Sequence, residues 1–158
     1  MTTFKIFGRG AETVDMTRRV LGRACFLSGL ETIDFIVRTL EPNGYNIAYV
    51  KADKILASKA QEPCDYVLAL DSKAPAKMFD DLKDGSIIIA KNNVDVKKFK
   101  VKCRLVGAVQ NLEMAILGGL TSDFSKVSIK SMKAAIEEEL GVSRVLQNAF
   151  EEGYKNIK

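Results

Sequence analysis

The sequence predicts an α/β fold, a three-layer α/β/α domain built on a mixed, mostly parallel sheet. Three observations carry this expectation. Short β-rich runs alternate with longer stretches of helical periodicity along all 158 residues. Two of the runs, residues 66–70 and 87–90, are unbroken apolar segments, the pattern of strands covered on both faces. Two others, residues 32–38 and 45–50, are joined by a link too short for a crossover and must run antiparallel. No repeat, low-complexity tract or linker divides the chain, so residues 1–158 read as one domain.

The elements follow in order. Residues 4–7 form a first strand that runs into Gly8-Arg9-Gly10. The helix after it has a broad apolar face from Val20, Leu21, Ala24, Cys25 and Leu27, with Thr13 or Asp15 as its cap and Gly29 near its end. The β-formers at 32–38 make the next strand. Glu41-Pro42-Asn43-Gly44 is a turn, because proline presets φ and glycine accepts positive φ. Residues 76–82 are a short helix ended by Asp84-Gly85. Residues 99–105 alternate: Phe99, Val101, Cys103 and Leu105 point to a buried side, while Lys98, Lys100, Lys102 and Arg104 point outward. The remainder is helical. Residues 111–120 come first, then a segment with Met132, Ala135, Ile136 and Leu140 capped by Ser128 or Ser131. Beyond Gly141 a last helix carries the stripe Val142, Val145, Leu146, Ala149, Phe150 and Ile157.

Composition narrows the function. Hydrophobic residues make up 47% and charged residues 28%, as in soluble globular proteins. No apolar run approaches the ~18–20 residues that span a bilayer, and residues 1–8 read as a strand rather than a signal peptide. The formal charge of +4 is too mild to indicate a nucleic-acid partner. Cys25, Cys64 and Cys103 are scattered and odd in number, without a Cys-x-x-Cys pair. That argues against a disulfide framework, zinc or an iron–sulfur cluster, and for a reducing cytoplasm. The chain has no histidine, which removes the commonest general base and metal ligand. Serine–histidine and cysteine–histidine nucleophiles are therefore impossible within it.

Four features remain as candidates for binding. Gly8-Arg9-Gly10-Ala11-Glu12-Thr13 joins the first strand to the first helix, where backbone N–H groups and a helix N-terminus can approach a phosphate. The dinucleotide fingerprint requires a third glycine at position 13, which is threonine here, and a tight turn also explains the small residues. The basic row Lys98, Lys100, Lys102 and Arg104 reads as a lysine-protected edge strand or as a surface for an acidic or phosphate-bearing partner. Asp80, Asp81 and Asp84 read as a solvated face, whereas Asp71 ends a buried strand, the position where ligands bind in open α/β sheets. Gly118-Gly119 admits another backbone at close range, either internally or across a subunit contact.

Assembled, this pattern resembles the gamma subunit of the 2-oxoacid:ferredoxin oxidoreductases, over nearly the whole chain. The family's Gly-x-Gly-Gly-Gln-Gly loop reads Gly8-Arg9-Gly10-Ala11-Glu12-Thr13 here, with Leu21-Gly22 in the helix that follows. Residues 64–70, Cys-Asp-Tyr-Val-Leu-Ala-Leu, are similar to its Asp-x-Leu-Val-Ala-Leu strand. Residues 111–120 resemble its Asn-x-x-x-Leu-Gly-Ala-Leu helix, and residues 147–154 its Asn-x-x-Ala-Phe-x-x-Gly-Tyr ending. Two loop glycines are replaced by Ala11 and Thr13, the glutamine by Glu12, and an arginine-bearing second loop is reduced to Glu41-Pro42-Asn43-Gly44.

The resemblance implies a divergent gamma-type subunit of an oxidoreductase acting on the oxo group of donors. Its complex decarboxylates a 2-oxoacid such as pyruvate oxidatively to an acyl-CoA and passes the electrons to ferredoxin. Thiamine diphosphate and iron–sulfur clusters are expected on alpha, beta and ferredoxin-like delta partner subunits. This chain is expected to hold no cofactor firmly and no metal. Coenzyme A is expected at its interface if anywhere, against Gly8, Arg9, Gly10, Ala11, Glu12, Thr13, Asn43 and Gly44. No nucleic acid or membrane is implied. The alternative reading is a non-catalytic assembly or binding protein on the same fold that has lost ligand binding.

Overall fold

The computed structural model describes residues 1–37, 44–55, 63–107 and 110–158. Its strands are β1 (Thr2–Gly8), β2 (Glu31–Val37), β3 (Asn46–Asp53), β4 (Cys64–Ala69), β5 (Leu82–Lys91) and β6 (Lys102–Val106). Its helices are α1 (Ala11–Leu27), α2 (Leu112–Asp123), α3 (Ile129–Leu140) and α4 (Arg144–Lys155), with two short 3-10 helices, η1 (Ala76–Phe79) and η2 (Val96–Lys98). The strands form one sheet in the order β2-β3-β1-β4-β5-β6. β3 pairs antiparallel with β1 and β2, while β1–β4, β4–β5 and β5–β6 are parallel. All described strands but β3 therefore point the same way, and the fold is α/β with a mixed, mostly parallel sheet. The antiparallel β2–β3 pair read from the sequence is present, with Phe35 opposite Tyr49.

Alternation along the strands sends side chains into two separate cores. Phe4, Ile6, Ala48, Val50, Leu68, Ile89 and Val106 turn to one face, against the apolar sides of all four α-helices. Phe7, Ile47, Val67, Ala69, Ile88 and Ala90 turn to the other, against Met78, Phe79, Val94, Phe99 and Val101 from η1, η2 and their loops. The outer layer on this second face is thus made of 3-10 turns among the described residues.

On the helical face, α2 and α4 touch backbone to backbone. A Cβ on Gly118 would stand 2.1 Å from the Phe150 carbonyl oxygen, and one on Gly153 would stand 2.0 Å from the Ala115 carbonyl oxygen. Gly119 faces Ile157, Val106 and Ile89. The Gly118-Gly119 pair is internal packing.

On the second face the anchor is ionic. The Lys5 ammonium, buried to 5% exposure, donates to the Met78 carbonyl at 2.8 Å and pairs with Asp81 Oδ1 at 2.8 Å. The Tyr49 hydroxyl donates to Asp81 Oδ2 at 2.9 Å. Burial pushes the Asp81 carboxyl up, yet the Lys5 hydrogen bond and charge outweigh it and leave the group below its usual value. Burial first, then the Asp81 charge, push the Cys64 thiol up to about 12.

Several local expectations are corrected. Neither Thr13 nor Asp15 caps α1; Gly10 stands at the cap without a side-chain bond, and Asp15 pairs with Arg18 and Arg19 instead. The helix expected at 76–82 is only the single 3-10 turn η1, because Lys5 takes the Met78 carbonyl and β5 already begins at Leu82. Gly85, at φ +87°, lies inside β5 beside a register shift rather than ending a helix. β6 begins at Lys102, not Phe99, and its basic row is not simply outward. Lys102 and Arg104 turn to the helical side and face Asp123 at 3.1 and 3.7 Å, while Cys103 and Leu105 join the second core. Val142 lies before α4, both it and Val145 are exposed, and in the helix burial is carried by Ala149, Phe150 and Gly153. Ser128, not Ser131, caps α3, accepting from the Ser131 N–H.

Candidate functional site

The loop between β1 and α1 opens at the carboxyl ends of β1 and β4, where open α/β sheets bind ligands. Hydrogen bonding from the Leu70 N–H to the Phe7 carbonyl, at 2.9 Å, carries the β1–β4 pairing to the edge of the loop. Gly8 is set by contact, since a Cβ there would meet the Leu70 Cβ at 3.1 Å. Gly10 then enters α1, and its carbonyl accepts the Val14 N–H at 3.1 Å. A cavity of about 240 Å³ results, lined by Gly8, Arg9, Gly10, Thr13, Val14, Leu70, Asp71 and Lys73.

Its polar centre is Asp71. The Asp71 carboxylate accepts the Tyr45 hydroxyl at 2.9 Å and the Lys73 N–H at 2.9 Å, and pairs with Arg9 Nε at 3.1 Å. The Arg9 guanidinium also lies 5.5 Å from the centre of the Tyr45 ring. Asn46 fixes the loop from the side: its amide donates to the Arg9 carbonyl at 2.9 Å and the Gly44 carbonyl at 3.2 Å. The Arg9 side chain is 68% exposed, so most of its fork of donors still faces solvent.

Of the residues singled out in the sequence, Gly8, Arg9, Gly10 and Thr13 come together around the cavity. Ala11 and Glu12 do not line it; they are exposed in the first turn of α1. Gly44, at φ +67°, is tied to the loop through Asn46, whose amide donates to both the Gly44 and Arg9 carbonyls. Asn43 and the rest of the turn at 41–43 lie outside the described residues. Asp71 was marked by its place at a strand end. Tyr45, Asn46 and Lys73 were not marked, and only their positions beside strand termini could have pointed to them.

Chemically, the cavity offers charge and hydrogen-bonding groups rather than a proton-transfer set. One cation, Arg9, pairs with the already bonded Asp71 carboxylate, Lys73 lines the cavity and binds Asp71 through its backbone N–H, and no histidine exists in the chain to move a proton. Among the described residues no three His, Cys, Asp or Glu side chains converge as metal ligands, and Cys25, Cys64 and Cys103 are separate free thiols. The donor set does not fit an iron–sulfur cluster. For coenzyme A the fit is partial: Arg9, Lys73 and the uncapped start of α1 suit a phosphate, whereas Glu12 in the first turn opposes one.

No protein-family model matches the sequence, and no curated protein matches it by sequence. Solved structures do match it. The PORC subunit of pyruvate oxidoreductase from Thermotoga maritima superposes with a TM-score of 0.79 at 16% identity, covering 99% of this chain and 97% of that one. The gamma subunit of a keto/oxoacid ferredoxin oxidoreductase from Geobacter sulfurreducens gives 0.77 at 16% identity, covering 98% and 96%. The chain has the gamma-subunit fold of the 2-oxoacid:ferredoxin oxidoreductases. The same fold recurs within a longer protein, the 2-oxoglutarate:ferredoxin oxidoreductase from Magnetococcus marinus, whose structure holds 2-oxoglutarate, coenzyme A and succinyl-CoA. There the TM-score is 0.80 at 21% identity, over 96% of this chain and 30% of that one. At such identities the likeness speaks for the gamma fold, and the site residues must be argued on their own geometry. No helix among the described residues is long and apolar enough to cross a membrane.

Proposed function

We propose that this chain is a gamma-type subunit of a cytoplasmic 2-oxoacid:ferredoxin oxidoreductase. In that complex a 2-oxoacid is decarboxylated oxidatively to an acyl-CoA, and the electrons pass to ferredoxin. The observation that carries the reading is the end-to-end match to free-standing gamma subunits, 99% of this chain against 97% of one of them. A histidine-free chain with no converging metal ligands among its described residues suits a subunit whose thiamine diphosphate and clusters sit on alpha, beta and delta partners. Thiamine diphosphate would supply the carbanion chemistry on those partners. This chain's part is positional: Arg9 and Lys73 offer positive charge at the carboxyl-end loop, and Asp71, Tyr45 and Asn46 hold that loop in shape.

The second reading, an assembly protein that has lost ligand binding, is favoured by one feature. Arg9 is already paired with Asp71, and Glu12 stands in the first helical turn. One assay separates the two. The complex is reconstituted with and without this chain and tested for ferredoxin reduction driven by a 2-oxoacid and coenzyme A. On the first reading activity requires the chain, Arg9→Glu raises the KM for coenzyme A about tenfold, and Glu12→Gln lowers it. Activity that needs the chain but ignores both substitutions supports the assembly reading, and full activity without the chain overturns both.

A further inference from the structure

A second concavity lies at the opposite end of the sheet, where β5 and β6 begin. It measures about 380 Å³ and is lined by Phe79, Phe99, Lys83, Lys98, Lys100 and neighbours from η1 and the start of β5. We propose that this groove docks an acidic peptide segment of a partner protein, one that carries an apolar side chain between carboxylates.

The groove has an apolar floor and a cationic rim. Phe79 and Phe99 pack against each other with ring centres 4.4 Å apart, and Phe79 meets Phe7 edge-on at 5.2 Å, so the floor is anchored in the second core. Around it stand Lys83, Lys98 and Lys100 against one acid, Asp84. Lys83 is paired with Asp65 at 2.7 Å, and Lys98 reaches Asp95 only at 4.0 Å. Lys100 has no ion pair among the described residues, and neither does the adjacent Lys97. The rest of the basic row is committed elsewhere, since Lys102 and Arg104 face Asp123. Lys97 and Lys100 therefore leave unpaired positive charge beside the half-buried Phe79 and Phe99 rings. A carboxylate-bearing partner gains both steering and apolar contact there.

The chemistry favours a peptide over a phosphate or a nucleic acid. The lining holds no guanidinium fork and no run of glycines to cradle a phosphate. The phenylalanine rings are packed on one another and into the second core, half-buried, rather than standing free as stacking platforms for bases.

The test uses the full chain and a fluorescein-labelled probe peptide of alternating Asp and Glu around a central Leu-Phe, read by anisotropy at low salt. Binding is expected, weakening at least about tenfold in the Lys98→Glu/Lys100→Glu variant and also with added salt. Both positions are exposed, so the variant should keep the melting temperature of the unmodified chain. In hydrogen exchange the peptide should protect residues 98–101 and leave the Gly8 loop unchanged. No binding, binding indifferent to the double reversal, or equal competition by pyrophosphate, single-stranded DNA or anionic phosphatidylserine vesicles would overturn the proposal.

Discussion

The two faces of the sheet are held by different physics. On the helical face, four helices bury a continuous apolar core, and α2 meets α4 so closely that glycines 118 and 153 have no room for a methyl group. On the other face, the cover among the described residues is two 3-10 turns, the first pinned by a lysine–aspartate pair, and at the β2 edge Ile33 and Phe35 are left partly exposed. Tight steric packing tolerates almost no change, whereas ionic pinning of a short loop can be altered without dismantling the domain. The contrast separates the tightly packed helical face from a face whose cover is short loops. Both concavities described above are rimmed by loops, the first at the carboxyl ends of the strands and the second beside η1 and η2.

The contrast is broken most severely at the α2–α4 contact. Gly153→Ala and Gly118→Ala should each cost about 3 kcal/mol or more, or prevent folding, as read by urea denaturation. A cost below about 1 kcal/mol would mean that the two helices can part without loss. Next comes Lys5→Met, which leaves Asp81 without its cation; about 2 kcal/mol is expected, and Lys5→Met/Asp81→Leu should recover most of it. That pair also has a pH signature. The Asp81 carboxyl lies below its usual value of 3.8 in the folded chain, so its contribution is complete above about pH 4 and is lost as the pH falls through the lower folded value. The stability gap between the unmodified chain and Lys5→Met should therefore shrink in acid, and a gap that widens would contradict the assignment.

Smaller effects sharpen the picture of the open face. Ile33→Ser at the β2 edge should change stability by no more than about 0.5 kcal/mol, because that side chain is already 37% exposed. Smallest is thiol chemistry. Burial pushes Cys25 and Cys64 up to about 12, while the half-buried Cys103 is raised by burial as well. With iodoacetamide at pH 8, mass spectrometry should find all three slow to react, with Cys103 modified first. Rapid alkylation of Cys64 would show that the η1 cover opens readily.

Much of the fold was legible because it rests on periodicity. The apolar runs at Tyr66 and Ile87 and the helical spacing after Asn111 each map onto an observed element, and the antiparallel pairing expected of β2 and β3 is present. What failed were boundaries decided by tertiary partners. Residues 76–82 have helical spacing, but the Lys5 ammonium claims the Met78 carbonyl, and that contact spans 73 positions in sequence. The basic row after Lys98 alternates well, yet Asp123 draws Lys102 and Arg104 to one side and the η2 turn leaves Lys98 and Lys100 beside the groove. The candidate site was half legible. A glycine-rich turn after a first strand announces itself, whereas Tyr45, Asn46 and Lys73 become partners only through the pairing of β1 with β3 and β4.

The proposed role is that of a subunit in an oxidoreductase complex whose chemistry lies on other subunits. Its most direct test is the composition of the native assembly. The chain, tagged in its own cell and purified under anaerobic conditions, should come away with partner subunits containing thiamine diphosphate and iron in fixed ratio to it. A chain that purifies alone, or with partners lacking both thiamine diphosphate and iron, would contradict the account.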